Sequence, residues 1–337
     1  MRKNRRCAFA AAFGMLILIL DSRTALLGAA EGIVLCIRTL IPSLLPFFVL
    51  SAIITGNLIG QPIRLLRPVC SFCGVPRGAE SLLAVGLLGG YPVGARNIAQ
   101  GYREGVISKS DAECMLSFCN NAGPAFIFGI LGRMFSHYWI SWLLWGIHIL
   151  SALLVGAIMK EKSGKTAELP CRSISLSDAL ESSLKVMGLV CGWVILFRMV
   201  LTFLDRWILW YLPEAVQVLF AGFLELSNGC VQLERIPSEG VRFLLAGIFL
   251  SAGGLCVTMQ TISVTKGLSL KPYFLGKGIQ TAISFLVCCM IQPLFEPDER
   301  VNVSWIIPVC ALVICMFFVL ILCIQKKRSS NPGFVGV

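Results

Sequence analysis

The chain has 337 residues, 56% of them hydrophobic and only 14% charged, whereas an ordinary soluble domain carries about 25% charged residues. Its mean hydropathy is +0.81, and apolar runs of spanning length recur throughout, which excludes a soluble globular fold and indicates an all-α polytopic membrane protein. The net charge of +11 is not a nucleic-acid signal, because the lysines and arginines sit at the ends of the apolar runs, where cytoplasmic flanks are basic.

Residues 1–78 read as N-terminal spans. Met1 to Arg6 is basic and Cys7 to Leu20 apolar, like the first regions of a signal peptide, with Gly28-Ala29-Ala30 as a small-residue cleavage site. More spans follow, so the stretch is expected to remain as an uncleaved first span. Ala25 to Thr39, carrying Glu31 and Arg38, reads as an interfacial helix, and Leu40 to Ile59 as the second span. Cys70 and Cys73 form a lone pair with no second pair and no nearby histidine, short of the roughly four ligands of a zinc site. The fifteen cysteines read as small apolar residues kept reduced.

Residues 79–160 form the first repeat. Ser81 to Gln100 is broken by Gly89-Gly90-Tyr91-Pro92-Val93-Gly94, and Ala112 to Gly132 by Asn120-Asn121-Ala122-Gly123-Pro124. Proline removes a backbone donor and glycine permits unwound backbone. In lipid the freed groups need partners, so such breaks belong where protein or a watery cavity supplies them. Trp139 to Met159 is a smooth span.

Residues 161–183 read as a basic cytoplasmic linker and an amphipathic start. Gly164-Lys165-Thr166 looks like the tail of a phosphate loop, but Met159 stands where the first glycine is required, so nucleotide binding there is rejected. Residues 184–295 form the second repeat: a span at Leu184 to Leu204, a broken one at Ala215 to Val231, another at Val241 to Ile262 interrupted by Ser251-Ala252-Gly253-Gly254, and a smooth one at Tyr273 to Leu294. Residues 296–337 hold a last span, Val303 to Ile324, and a short tail.

Charge and span count fix a topology. The basic termini, the linker and the Lys266 to Lys277 loop should all be cytoplasmic. The parity works only if Ser81 to Gln100 and Ala215 to Val231 are re-entrant hairpins entering from opposite faces. The expected fold has about eight transmembrane helices plus two re-entrant hairpins in an inverted repeat, with a site at the midplane.

Gly90-Tyr91-Pro92-Val93-Gly94-Ala95 followed by Leu116-Ser117-Phe118-Cys119-Asn120 resembles the YlbJ family of sporulation integral membrane proteins. So do Gly222-Phe223-Leu224-Glu225 with Asn228-Gly229, and Gly253-Gly254 through Gln260. The resemblance covers roughly residues 25 to 325. It implies a nucleoside-recognition (Gate) domain, as in concentrative nucleoside transporters and the membrane part of bacterial ferrous-iron transporters. It also implies a bacterial cytoplasmic membrane protein with a suspected transport role. Asn121-Ala122 stands where relatives are expected to carry small hydroxyl residues.

Glu225 is the sharpest candidate, since an acid within an apolar segment usually faces a cavity and marks an ion or proton pathway. It could hold a coupling cation or a proton, or it could cap a helix. Asn120 and Asn121 offer amides to an uncharged polar ligand, or satisfy the broken backbone themselves; both readings stay open. Ser227, Asn228 and Gln260 are similar. Gly86, Gly90 and Gly94 recur every four residues, for close helix packing or, with Pro92, as a hairpin tip beside a ligand, and Tyr91 could stack on a ring or pack in the core. His148 reads as a hydrogen-bonded core residue. Enzyme signatures, cofactor motifs and metal clusters are not found.

Two functions follow. One is a secondary transporter or permease for a small polar, nucleoside-like solute coupled to a cation, with membrane lipid around it and a homo-oligomer left open. The other is a non-transporting scaffold for sporulation, spore-cortex or envelope assembly.

Overall fold

The computed structural model describes residues 2–160 and 174–295. The expected last span, Val303 to Ile324, and most of the basic linker lie outside the described residues. The described residues are helical, in the order α1 (Arg2–Leu20), α2 (Ser22–Leu35), α3 (Ile41–Leu58), α4 (Arg67–Cys73), α5 (Glu80–Leu88), α6 (Val93–Arg103), α7 (Lys109–Leu116), α8 (Pro124–Gly129), α9 (Trp139–Ile158), α10 (Leu176–Trp207), α11 (Glu214–Leu224), α12 (Leu226–Gln232), α13 (Glu239–Ala252), α14 (Gly254–Val264) and α15 (Lys271–Ile291).

Five helical stretches among them are long and apolar enough to cross a membrane: Ser22–Leu58, Trp139–Ile158, Leu176–Trp207, Glu239–Val264 and Lys271–Leu294. The first takes in the expected interfacial helix at Ala25 to Thr39. That segment and the following span form one 37-residue run, joined by a π-helical turn at Cys36–Leu40 just before Pro42. Proline cannot supply the next backbone bond, and the Ser43 hydroxyl donates to the Thr39 carbonyl at 2.7 Å. Glu31 pairs with Arg198 of α10 at 2.6 Å. Gly28 and Gly32 let α2 and α10 approach closely, since a Cβ at either would stand 2.8–2.9 Å from the Cα of Met199 or Ile195.

The expected first span is α1, whose apolar part is Ala11–Leu20, shorter than a span. The Ala112 to Gly132 segment is two short helices, α7 and α8, on either side of non-helical backbone. Helix α10 begins at Leu176, capped by the Ser175 hydroxyl on the Asp178 N–H, and so runs unbroken through the expected boundary at 183/184. Cys70 and Cys73 are buried free thiols, and burial pushes them up to about 12 and about 11 respectively.

Each half then repeats one plan. A helix hairpin (α5 with α6, α11 with α12) is followed by a broken helix and then a smooth one. The smooth helices α9 and α15 pack on each other, and α13 packs on both. The two helix hairpins lie within the segments expected to be re-entrant.

Candidate functional site

The first hairpin turns at Gly89–Pro92. Gly90 has φ +84°, a left-handed conformation that suits glycine, and the Tyr91–Pro92 bond is cis. Helix α6 restarts at Val93, whose N–H bonds to the Gly90 carbonyl at 2.9 Å. A Cβ at Gly86 or Gly94 would collide with the Cys119 carbonyl, so these two glycines let α5 and α6 clasp the extended stretch that follows α7. In the second half, Gly253 and Gly254 break α13 from α14 at φ +74° and +73°. A Cβ on Gly254 would stand 2.9 Å from the Phe223 carbonyl, and one on Gly253 3.4 Å from the Tyr91 hydroxyl. The two halves therefore meet where Tyr91 faces Gly253.

A cavity of about 30 Å³ lies at that meeting point, room for about two waters or one small cation. Gly90 and Tyr91 line it from the first hairpin, Ala122 and Gly123 from the first break, Glu225 and Ser227 from the second hairpin, and Gln260 from α14. Leu40 and Leu44 beside α3, with Val190 and Val194 of α10, close its apolar side. The sequence-predicted residues Gly90, Tyr91, Glu225, Ser227 and Gln260 are thus brought together.

Glu225 is 2% exposed. Its Oε1 accepts from the Ser227 N–H at 3.0 Å, and its Oε2 from the Asn228 N–H at 2.8 Å and Asn228 Nδ2 at 2.7 Å. It caps α12, and three donors fill most of the roughly four lone-pair positions of a carboxylate. The Ser227 side chain adds a further hydrogen bond to the same carboxylate.

The remaining predicted residues stand behind the wall. Pro92 and Gly94 form the back of the tip. Asn228 holds Glu225. Asn120 accepts from the Ala95 N–H at 3.3 Å and donates to Thr261 Oγ1 at 3.0 Å. Asn121 donates to the carbonyls of Phe118 at 2.6 Å and Gly86 at 3.4 Å. Both asparagines therefore serve the broken backbone, one of the two readings left open by their sequence position.

Lys277 is the residue that sequence reasoning misplaced. It had been counted with the basic cytoplasmic loop, yet it is 1% exposed, because α15 starts at Lys271 and carries it inward. It lies with Tyr91, Asn121, His148 and Gln280 in one buried hydrogen-bonded cluster. A signal was present: Lys277, Gln280, Thr281 and Ser284 recur at helical spacing in an otherwise apolar run and are all buried. In a membrane bundle such a polar stripe faces inward. His148 is a hydrogen-bonded core residue as expected, its Nε2 accepting from the Ala122 N–H at 3.1 Å.

Apolar helices of spanning length, with two broken pairs closing around a buried acid, define a polytopic α-helical integral membrane protein. The chain is similar to the sporulation integral membrane protein YlbJ of Bacillus subtilis (strain 168), at 29% identity over 269 residues, which cover 70% of this chain and 63% of that protein. This similarity supports the YlbJ-like family that the Gly-Tyr-Pro and Cys-Asn motifs resemble. The match spans a little under two-thirds of the relative's length, 63%. No protein-family model matches the chain, and no solved structure does.

Proposed function

We propose that the chain is a secondary transporter or permease of the Gate type, moving a small polar, nucleoside-like solute through a midplane site between two inverted repeats. The carrying observation is that the Gly90–Tyr91 tip and Glu225, from opposite halves, line one cavity. On this reading the two hairpins are re-entrant from opposite faces, and Glu225 holds the coupling cation. A cavity of about 30 Å³ is far below the roughly 300–1,000 Å³ of a site for a drug-sized ligand. The described conformation is then too narrow for the solute, which enters only when a hairpin tip moves. The hinges would be the left-handed glycines at 90, 253 and 254.

The deciding experiment is uptake of labelled nucleosides and bases into proteoliposomes under imposed ion gradients. Glu225→Gln is expected to cut uptake by about ten-fold or more, since it removes the charge that a cation needs, while elution on gel filtration stays that of the parent. Uptake no greater than in empty liposomes across the whole panel would overturn the carrier reading.

The relative's name favours a second reading, a membrane scaffold needed for sporulation or envelope assembly. Glu225→Gln separates the two. If it still restores sporulation to B. subtilis lacking its YlbJ relative, the scaffold reading stands.

We place the protein in the bacterial cytoplasmic membrane with both termini and the 161–173 linker inside. The linker carries a native thiol, Cys171. An impermeant thiol reagent should modify it in inside-out vesicles and leave it untouched in intact cells. The opposite pattern would invert the topology.

A further inference from the structure

Between α3 and α5 the chain leaves the bundle and returns to the same point. The Gly60 N–H donates to the Gly78 carbonyl at 2.9 Å, so residues 60–78 form one closed excursion. It carries α4, seven residues long and so about 10 Å at 1.5 Å per residue, roughly a third of a hydrocarbon core. Helix α4 lies against the last turns of α9. The Cys73 thiol donates to the Leu153 carbonyl at 3.5 Å and the Lys160 ammonium to the Ser71 carbonyl at 2.7 Å. A Cβ on Gly156 would stand 2.9 Å from that of Cys73. Helix α9 is long enough to span and ends at Ile158, which puts α4 at the level where a span meets the bilayer surface.

From Arg64 to Cys73 the chain reads RLLRPVCSFC, which at 3.6 residues per turn gives three faces. Leu66, Cys70 and Cys73 share one, and both cysteines are buried. Leu65, Val69 and Phe72 share the next, yet they are 87%, 36% and 53% exposed. Arg64, Arg67 and Ser71 lie on the far side from both apolar faces. An apolar stripe this open is costly against water. A helix of this pattern rests in the membrane interface, apolar half down and arginines among the headgroups. The charge is of one sign: residues 60–78 hold Arg64, Arg67 and Arg77 and no Asp or Glu. The first acid after them, Glu80, is fully buried and is committed to the Gly78 N–H at 2.7 Å and to Arg67 at 3.5 Å. Arg64 and Arg77 are exposed and have no ion pair among the described residues.

We propose that the 60–78 excursion is a binding site for an anionic phospholipid of the leaflet at this end of α9. An acyl chain lies along Leu65, Val69 and Phe72. Arg64 and Arg77 flank the residues that close the excursion, four after Gly60 and one before Gly78, and they hold the headgroup. A guanidinium can give a phosphate two parallel N–H bonds. The lipid is held at the base of the first hairpin, because Glu80 begins α5 and fixes both Gly78 and Arg67. The site serves a carrier and a scaffold alike.

The test uses the full chain in mild detergent, titrated separately with phosphatidylglycerol and phosphatidylcholine of identical acyl chains, while native mass spectrometry counts the lipids bound. The parent should hold phosphatidylglycerol about five-fold or more tighter, the factor that one basic residue near an anionic surface supplies. Arg64→Gln with Arg77→Gln should remove that preference and leave phosphatidylcholine binding as it was. Leu65→Ser with Phe72→Ser should weaken both lipids. These four side chains are exposed, so the fold is not at stake. Arg133→Gln, before the opposite end of α9, is the control and should keep the parent's preference. Equal affinity of the parent for the two lipids would overturn the proposal. So would a preference that survives Arg64→Gln with Arg77→Gln, or one that falls as far in Arg133→Gln. Leu65→benzoylphenylalanine, irradiated in native membranes, tests the occupant: a phospholipid adduct supports the site, and a discrete adduct with another protein in its place overturns it.

Discussion

Gly229→Ala is expected to yield little or no folded protein. Helices α11 and α12 fold back on each other where Gly229 crosses Gly222, and a Cβ on Gly229 would occupy the space of the Gly222 backbone. Overpacking against mobile side chains costs about 1–3 kcal/mol. Here the obstacle is main chain, so α12 itself must move. Moving it pulls the Ser227 and Asn228 N–H groups off Glu225, and a buried carboxylate stripped of donors costs about 1–3 kcal/mol or more for each. The sum, about 4 kcal/mol or above, is comparable with the 5–15 kcal/mol that holds a typical domain together. Gly188→Ala is the control. It lies on α10 with nothing within 4 Å of an added Cβ, and exchanging a helical glycine there should be neutral or stabilise by up to about 1 kcal/mol. Thermal unfolding and the monodisperse yield of both variants in detergent decide the matter; equal behaviour would mean that the hairpin does not cross at Gly229.

The breaks were legible in the sequence because they are written in the residues that cause them. Gly90 and Gly253 occupy backbone conformations that few other residues adopt, and Pro92 and Pro124 cannot continue a helix. Glu225 was legible for a different reason, an acid in an apolar run being too costly to be incidental. What could not be read was pairing at a distance. Glu31 pairs with Arg198, and nothing near position 31 announces a partner on α10. Lys277 failed in the opposite direction. It follows Lys266 and Lys271, so a rule that counts basic residues near span ends takes it as one more anchor. The six residues from Lys271 advance it about 9 Å along the helix at 1.5 Å per residue, which is enough to bury it. The asparagines were legible as a break, but not which way their amides would point.

Asn121→Ala is expected to be the most damaging change outside the glycines. Its amide nitrogen serves two buried carbonyls, Phe118 at 2.6 Å and Gly86 at 3.4 Å, and its oxygen accepts from Gln280 and Lys277. Alanine takes that donor from the two carbonyls and one acceptor each from Gln280 and Lys277, which keep the His148 carbonyl and the Tyr91 and Gln280 oxygens respectively. Each unsatisfied buried group costs about 1–3 kcal/mol, so a loss of about 4 kcal/mol or more is expected, read as a fall in the unfolding midpoint. Asn121→Asp divides that loss. Aspartate keeps an acceptor for Gln280 and brings a charge to Lys277, while it cannot donate to the two carbonyls, so its loss should be clearly smaller. Asn120→Ala removes the acceptor of the Ala95 N–H and one partner of the Thr261 hydroxyl, which still donates to the Val257 carbonyl, and it should rank below Asn121→Ala. A neutral Asn121→Ala would show that the break does not depend on this side chain. Equal losses for alanine and aspartate would show that Lys277 takes no support from the Asn121 oxygen, and its support would then reduce to Tyr91 and Gln280.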